Sequence, residues 1–187
     1  MKKIISLLLI AFMAIGVNAG NDNKTTAPYK VGDYYNDGTK EGIVFVVYDG
    51  GIHGKIVSLD ESEKEWTVSD IFNNSIGAKA KGGGMGNMNK IRKQYKWKKK
   101  YPAFAWCVSL GKNWYLPAID ELLLIYNNVN VINRVLNEKG YGEIMEKSYW
   151  SSTEDDIGCA LYVYMKDGFS CGALKFCSIY VRAVATF

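Results

Sequence analysis

The chain holds a single histidine, His53, set in "GGIHGK". Nucleophilic catalysis there would need a serine or cysteine within its reach and a third group to orient the imidazole. Ser151, Ser152 and Cys107 are available, but none lies in a nucleophile-elbow or papain-like motif. A hydrolase or transferase using His53 is therefore an alternative with no motif behind it. Asp120 and Glu121 are neighbours in "WYLPAIDELLLIYNN". Adjacent helical residues diverge around the axis, so the pair suits the positive end of a helix better than paired acid–base work. Glu154, Asp155 and Asp156 offer hard oxygens to calcium. Three adjacent acids do not by themselves supply the about six to eight ligands calcium takes. No cofactor or metal is assigned.

Two further clusters invite chemistry. "GAKAKGGGMGN" is glycine-rich, but no GKS or GKT follows and its glycines do not fit GxGxxG between a strand and a helix. A tight surface loop accounts for it. The four cysteines, Cys107, Cys159, Cys171 and Cys177, do not show the paired CxxC spacing of a zinc site. With a turn at Asp167-Gly168, Cys159 and Cys177 would face each other across two strands, and they are the expected bridge in an oxidising compartment.

Charge is unevenly spread. No acid lies between Asp70 and Asp120, a stretch holding ten basic residues. Six of them, Arg92, Lys93, Lys96, Lys98, Lys99 and Lys100, fall within nine positions. The segment is either a solvated helix surface or a basic face for anionic glycans, lipid headgroups or nucleic acid. The second reading makes the protein an electrostatic binder of anionic envelope polymers through residues 90–100.

The N-terminus reads as an export signal. Lys2 and Lys3 precede the apolar run "IISLLLIAFMAI", and small residues at Val17 and Ala19 allow cleavage after Ala19. The run is shorter than the roughly 20 apolar residues a spanning helix needs. No cysteine follows the cleavage site to carry a lipid. Residues 1–19 are thus expected to be a signal peptide and 20–32 a flexible leader. The chain after cleavage would carry a net charge near +2 and no transmembrane segment. Export disfavours an intracellular nucleic-acid partner. The location expected is secreted, periplasmic or cell-surface.

The elements that must position these residues follow from pattern. Ile43–Tyr48 and Lys55–Leu59 are β-rich runs split by Asp49-Gly50-Gly51, a hairpin signal. Residues 66–88 read as loop. Asn89–Lys100 reads as a basic amphipathic helix, interrupted or restarted at Pro102. "AFAWCVSLG" repeats apolar residues at helical spacing and ends at Gly111. Pro117 fits the first turn of a helix whose wide apolar stripe includes Leu122 and Ile125. A second helix covers Val129–Lys139. In the tail, Leu161, Val163 and Met165 alternate with polar positions before Asp167-Gly168, and "IYVRAVATF" reads as a final strand. The order predicts one α+β domain.

In this order, "GIVFVVYDGGIHGKIVSLDE", "YPAFAWC", "WYLPAIDELLLIYNN", "YWSSTE" and "YVRAVATF" resemble a bacterial domain family of unknown function with a C-type-lectin-like fold. That family is distantly similar to formylglycine-generating-enzyme and phage tropism-determinant domains. The resemblance covers residues 33–187. It implies a small twisted antiparallel sheet, two main helices, a long irregular region and chain ends lying close together. It also implies a non-catalytic module for a glycan or protein ligand, in adhesion or a related envelope role. The ligand face would lie between "YWSSTE" and "YVRAV", with Glu154, Asp155, Asp156, Tyr164, Lys166, Asp167 and Phe169 as candidates. Arg182 is implied to sit in a structural ion-pair or hydrogen-bond network. The chain lacks the Glu-Pro-Asn, Gln-Pro-Asp and Trp-Asn-Asp triplets of calcium lectins. It also lacks the active-site cysteine pair of copper-dependent formylglycine formation.

Overall fold

The computed structural model describes residues 28–144 and 146–187. The expected signal peptide and residues 20–27 of the leader lie outside them. The elements in chain order are β1 (Tyr34–Asn36), β2 (Glu41–Tyr48), β3 (His53–Val57), β4 (Ser62–Glu65), α1 (Gly84–Arg92), α2 (Trp97–Lys100), α3 (Pro102–Ser109), α4 (Ile119–Asn127), α5 (Val129–Glu138), β5 (Ser148–Glu154), β6 (Cys159–Tyr164), β7 (Ser170–Leu174), β8 (Ser178–Val181) and β9 (Val184–Thr186). One sheet has the order β1-β2-β3-β9 and the other β4-β8-β5-β6-β7. All pairings are antiparallel except β5 with β8, which is parallel. The α+β class follows, with antiparallel sheets and five α-helices among the described residues.

The expected final strand is two strands in different sheets. Its run breaks at Arg182-Ala183, where β8 leaves the second sheet and β9 enters the first. The β3–β4 connection crosses at the same place, so a single ribbon bends from one sheet into the other. Arg182 fixes the bend. Its guanidinium donates to the carbonyls of Ser58 (2.8 Å), Leu59 (2.8 Å) and Gly142 (2.7 Å), and pairs with Glu61 at 3.1 Å. Glu61 also accepts from Lys147 and from the Tyr149 hydroxyl. The structural ion-pair and hydrogen-bond network expected for Arg182 is therefore present.

β4, "SEKE", is absent from the pattern reading because it carries no apolar alternation. It is an edge strand, and charges along an edge discourage further pairing. The glycine cluster is a packing device. A Cβ on Gly84 would stand 2.4 Å from the Leu116 carbonyl oxygen, so α1 can start against the entry to α4 only at glycine. The expected Asn89–Lys100 helix is divided: α1 ends at Arg92, and Lys96 takes a left-handed φ of 54° before the short α2. Successive lysines repel at helical spacing, and no acid is present to relieve them.

Pro117 precedes α4 instead of lying in its first turn, because its carbonyl accepts the Ser152 N–H of β5 at 2.7 Å. The residue at the helix start is Ala118, which has no side-chain acceptor. Its role is filled from outside: Thr153 Oγ1 accepts the Ile119 N–H (3.1 Å) and the Lys81 carbonyl accepts the Asp120 N–H (3.0 Å). Glu121, 1% exposed, folds back to accept the N–H groups of Ala118 (2.8 Å) and Gly84 (3.0 Å). It also accepts from Lys55 (2.6 Å) and the Tyr115 hydroxyl (2.8 Å). The acid at the helix start thus joins α1, α4 and β3. Trp66, Trp150, Phe45 and Phe104 fill the core between helices and sheets.

Candidate functional site

The residues expected on a ligand face divide into three groups. Glu154 ends β5 and is buried, so it is not on that face. Its carboxylate pairs with the equally buried Lys175 at 2.8 Å and accepts the N–H groups of Ile76 (3.0 Å) and Ala78 (2.9 Å) and the Ser75 hydroxyl (3.2 Å). Burial alone would push its pKa up. The Lys175 hydrogen bond and the two backbone N–H groups outweigh that and hold it below the usual carboxylate value. This carboxylate fastens the irregular 75–78 segment to the sheet.

Asp155 and Asp156 are exposed in the loop before β6. Asp156 accepts the N–H groups of Cys159 (2.7 Å) and Gly158 (2.8 Å), which lower its pKa. Asp155 lies over β7, with its carboxylate against Gly172. At the other end of the hairpin, Asp167 accepts the Phe169 N–H (2.9 Å), Lys166 pairs with Glu146 (3.4 Å), and Phe169 is 57% exposed. Tyr164 closes β6, half-buried. The six residues of β6 separate the two ends by about 20 Å. The structure therefore does not bring the candidates into one cleft. Among the described residues no group of three His, Cys, Asp or Glu could hold a metal ion.

What lies between the two ends is an open strand edge. Among the described residues β7 pairs only with β6, and its other side has no strand partner in the sheet. The Tyr164 N–H to Phe169 carbonyl bond (2.8 Å) and the Lys175 N–H to Gly158 carbonyl bond (3.0 Å) set the phase of the ladder. Antiparallel pairs alternate between bonded and non-bonded, so Ser170 and Gly172 direct both N–H and C=O outward and Leu174 its N–H, while the Leu174 carbonyl accepts the Cys177 N–H at 2.9 Å in the turn that follows. Phe169, Leu174 (43% exposed), Phe176 (36%) and Ile157 (60%) flank this edge with apolar surface. The strand itself, "SCGAL", carries no charge. The opposite edge, β4, is charged throughout its middle.

The nucleophilic reading finds no such assembly. His53 is exposed at the start of β3, with Nδ1 3.0 Å from Asp49 Oδ2. Ser151 and Ser152 are buried, the first donating to the Leu161 carbonyl (2.8 Å) and the second accepting from Asn87 (3.1 Å). Cys107 is buried, and burial pushes its thiol well above the usual value. A cleft of ≈ 390 Å³ lies between the β1–β2 turn and the loop after α3, lined by Thr39, Lys40, Asp60 and Trp114 among others. None of these four candidates lines it.

All four cysteines are free thiols. The expected Cys159–Cys177 bridge is not formed, because β7 registers Leu174, not Cys177, opposite Cys159. Arg92, Lys93, Lys96, Lys98 and Lys99 are exposed and Lys100 is half-buried, at the corner made by α1 and α2. Sequence reasoning missed the Glu61, Lys175 and β7 roles. A lysine just past an otherwise neutral strand, four residues after a cysteine, carries no local signal that it is buried.

The chain matches no family model and no curated protein. Among solved structures it is similar to a fimbrial protein from Bacteroides ovatus ATCC 8483, with a TM-score of 0.64 and 16% identity. The match covers 85% of this chain and 49% of that one, so the chain spans about half the fimbrial protein's length. At that identity the likeness is one of fold: a mixed α+β arrangement shared with a fimbrial protein.

Proposed function

We propose that the chain is a non-catalytic module of the cell surface that binds a protein partner by strand addition along β7. The unguarded edge carries this reading. Outward N–H and C=O groups at Ser170 and Gly172, and the outward N–H of Leu174, recur at strand spacing and are flanked by exposed apolar side chains. An unpaired edge of that composition is a template for an incoming strand. A protein is favoured over a glycan because the groups on offer are main-chain donors and acceptors in register. The surface location is supported by the export pattern of the first residues and by the fold likeness to a fimbrial protein. Among the described residues no helix is long and apolar enough to cross a membrane.

The C-type-lectin-like assignment belongs to the same proposal. In its favour, Tyr29 near the start of the described chain stacks edge-on against the terminal Phe187 with ring centroids 5.1 Å apart. The long irregular stretch between β4 and α1 also agrees with it.

A displayed library of extended peptides, selected on the protein, tests the reading. Selected peptides should protect the amides of Ser170, Gly172 and Leu174 from hydrogen exchange. They should lose affinity for Ser170→Pro, which deletes an outward N–H but leaves the β6 ladder intact. Peptides that bind the proline variant equally well and leave those amides unprotected would refute it.

A further inference from the structure

We propose that the corner formed by α1 and α2 docks on a lipid surface bearing anionic phosphate headgroups. This surface is separate from β7 and does not depend on it. Its six cations, Arg92, Lys93, Lys96, Lys98, Lys99 and Lys100, take part in none of the ion pairs among the described residues. The nearest acids in sequence are Asp70 and Asp120, and no carboxylate among the described residues lies within ion-pairing distance of the six.

The chemistry of the corner selects the ligand. Ammonium and guanidinium groups donate hydrogen bonds and accept none. Sugar hydroxyls need both kinds of partner, whereas phosphate oxygens need donors alone. Among the side chains of residues 92–100 only Gln94 and the Tyr95 hydroxyl can accept, and Gln94 is half-buried. Lysine is a point charge on a flexible stem and makes no planar geometric demand. That suits headgroups that move laterally.

Two aromatic rings complete the match. Tyr95 is 74% exposed, with Lys96 Nζ 5.0 Å and Lys100 Nζ 6.0 Å from its ring centre. Lys98 Nζ lies 5.8 Å from the Trp97 ring, and Lys96, Trp97, Lys98 and Lys99 line a groove of ≈ 340 Å³. Tyrosine and tryptophan settle at the headgroup level of a bilayer, with basic side chains beside them reaching the phosphates. The corner is held firmly. Ile91 and Tyr101 are buried on either side, and the Lys100 carbonyl accepts from Thr67 Oγ1 (2.8 Å) and the Val68 N–H (3.0 Å).

The test is co-sedimentation of the exported protein with vesicles of phosphatidylcholine alone and of phosphatidylcholine mixed with phosphatidylglycerol. Each lysine near an anionic surface strengthens binding by roughly 5-fold, so Lys96→Gln, Lys98→Gln and Lys99→Gln together should weaken partition by on the order of 100-fold. Binding should require phosphatidylglycerol and fall steeply between about 0.05 M and about 0.5 M salt. Tyr95→Ala should weaken it further, whereas Lys81→Gln with Lys112→Gln, also basic but outside the corner, should leave it unchanged. All these side chains are exposed, and an unaltered melting curve verifies the fold. Equal partition onto neutral vesicles overturns the proposal, as does a triple variant that binds like the parent. Binding to soluble polyphosphate or a sulfated polysaccharide, with anionic vesicles left in the supernatant, also overturns it and assigns the corner to a free polyanion.

Discussion

Replacing Lys175 by Met isolates the most deeply buried ion pair among the described residues. Lys175 and Glu154 both have fully buried side chains. The ammonium donates to Glu154 Oε1 (2.8 Å), the Ile157 carbonyl (2.7 Å) and the Asn74 carbonyl (3.2 Å), and lies 5.0 Å from the Trp66 ring centre. Methionine conserves the stem's volume and adaptability while deleting the charge. Two carbonyls and one carboxylate are then left without their donor in a dry site. Removing one partner of such a pair costs about 3–5 kcal/mol. For a domain of this size that corresponds to a melting temperature lower by roughly 6–20 °C.

The pH dependence tests the cause. Burial pushes the Glu154 carboxyl up, but Lys175 and the Ile76 and Ala78 N–H groups bring its net value below the usual 4.5. The folded-state pKa is depressed, so the contribution is fully present above the unfolded value and is lost as pH falls through the folded one. In Lys175→Met the stranded carboxylate takes up a proton more readily. The penalty should therefore be greatest near neutral pH and shrink toward about pH 4. Glu154→Gln added to Lys175→Met should recover much of the loss, because the amide oxygen still accepts a backbone N–H. Circular-dichroism melts of the three proteins across this range provide the readout. A shift of less than about 2 °C for the single variant at neutral pH, or a penalty independent of pH, would refute the dry-pair reasoning.

Gly168→Ala should destabilise the β6–β7 hairpin by more than about 1 kcal/mol in urea melts, since Gly168 has φ +76° and a Cβ there would meet the Tyr126 ring at 2.5 Å. Burial, followed by its hydrogen bond to Asp37, pushes the Tyr35 hydroxyl up to about 12. Tyr35 therefore contributes stability that is present below the ordinary tyrosine value of 10.0 and is lost as pH rises through about 12. Tyr35→Phe should flatten that alkaline decline and remove one late-ionising group from the ultraviolet titration. Thiol-reactive dye on the native protein should label exposed Cys171 first and Cys107 only on unfolding, and denaturation should reveal all four thiols. A mass deficit of one pair of hydrogens, with Cys159 and Cys177 linked in a peptide map, would show instead that these two bridge.

The parts legible from the sequence were those governed by local physics. Apolar spacing located α4 and α5 to within a residue or two, because each helix buries a continuous stripe. Asp167-Gly168 marked the β6–β7 turn, where the left-handed conformation favours glycine. The lysine run was equally visible, since solvated charge needs no tertiary partner. Partnership was not legible. Glu61, Glu121 and Glu154 look like surface acids in the sequence, yet each accepts from groups dozens of residues away. "IYVRAVATF" reads as one uninterrupted strand, and only the Arg182 network dictates that it changes sheets. Whether a strand lies at an edge, and which of its backbone groups face outward, depends on the neighbours that assemble around it. Sequence patterning thus determined the elements and the signs of their charges. Tertiary structure decided which charges are neutralised in the interior, and which strand was left with an open side.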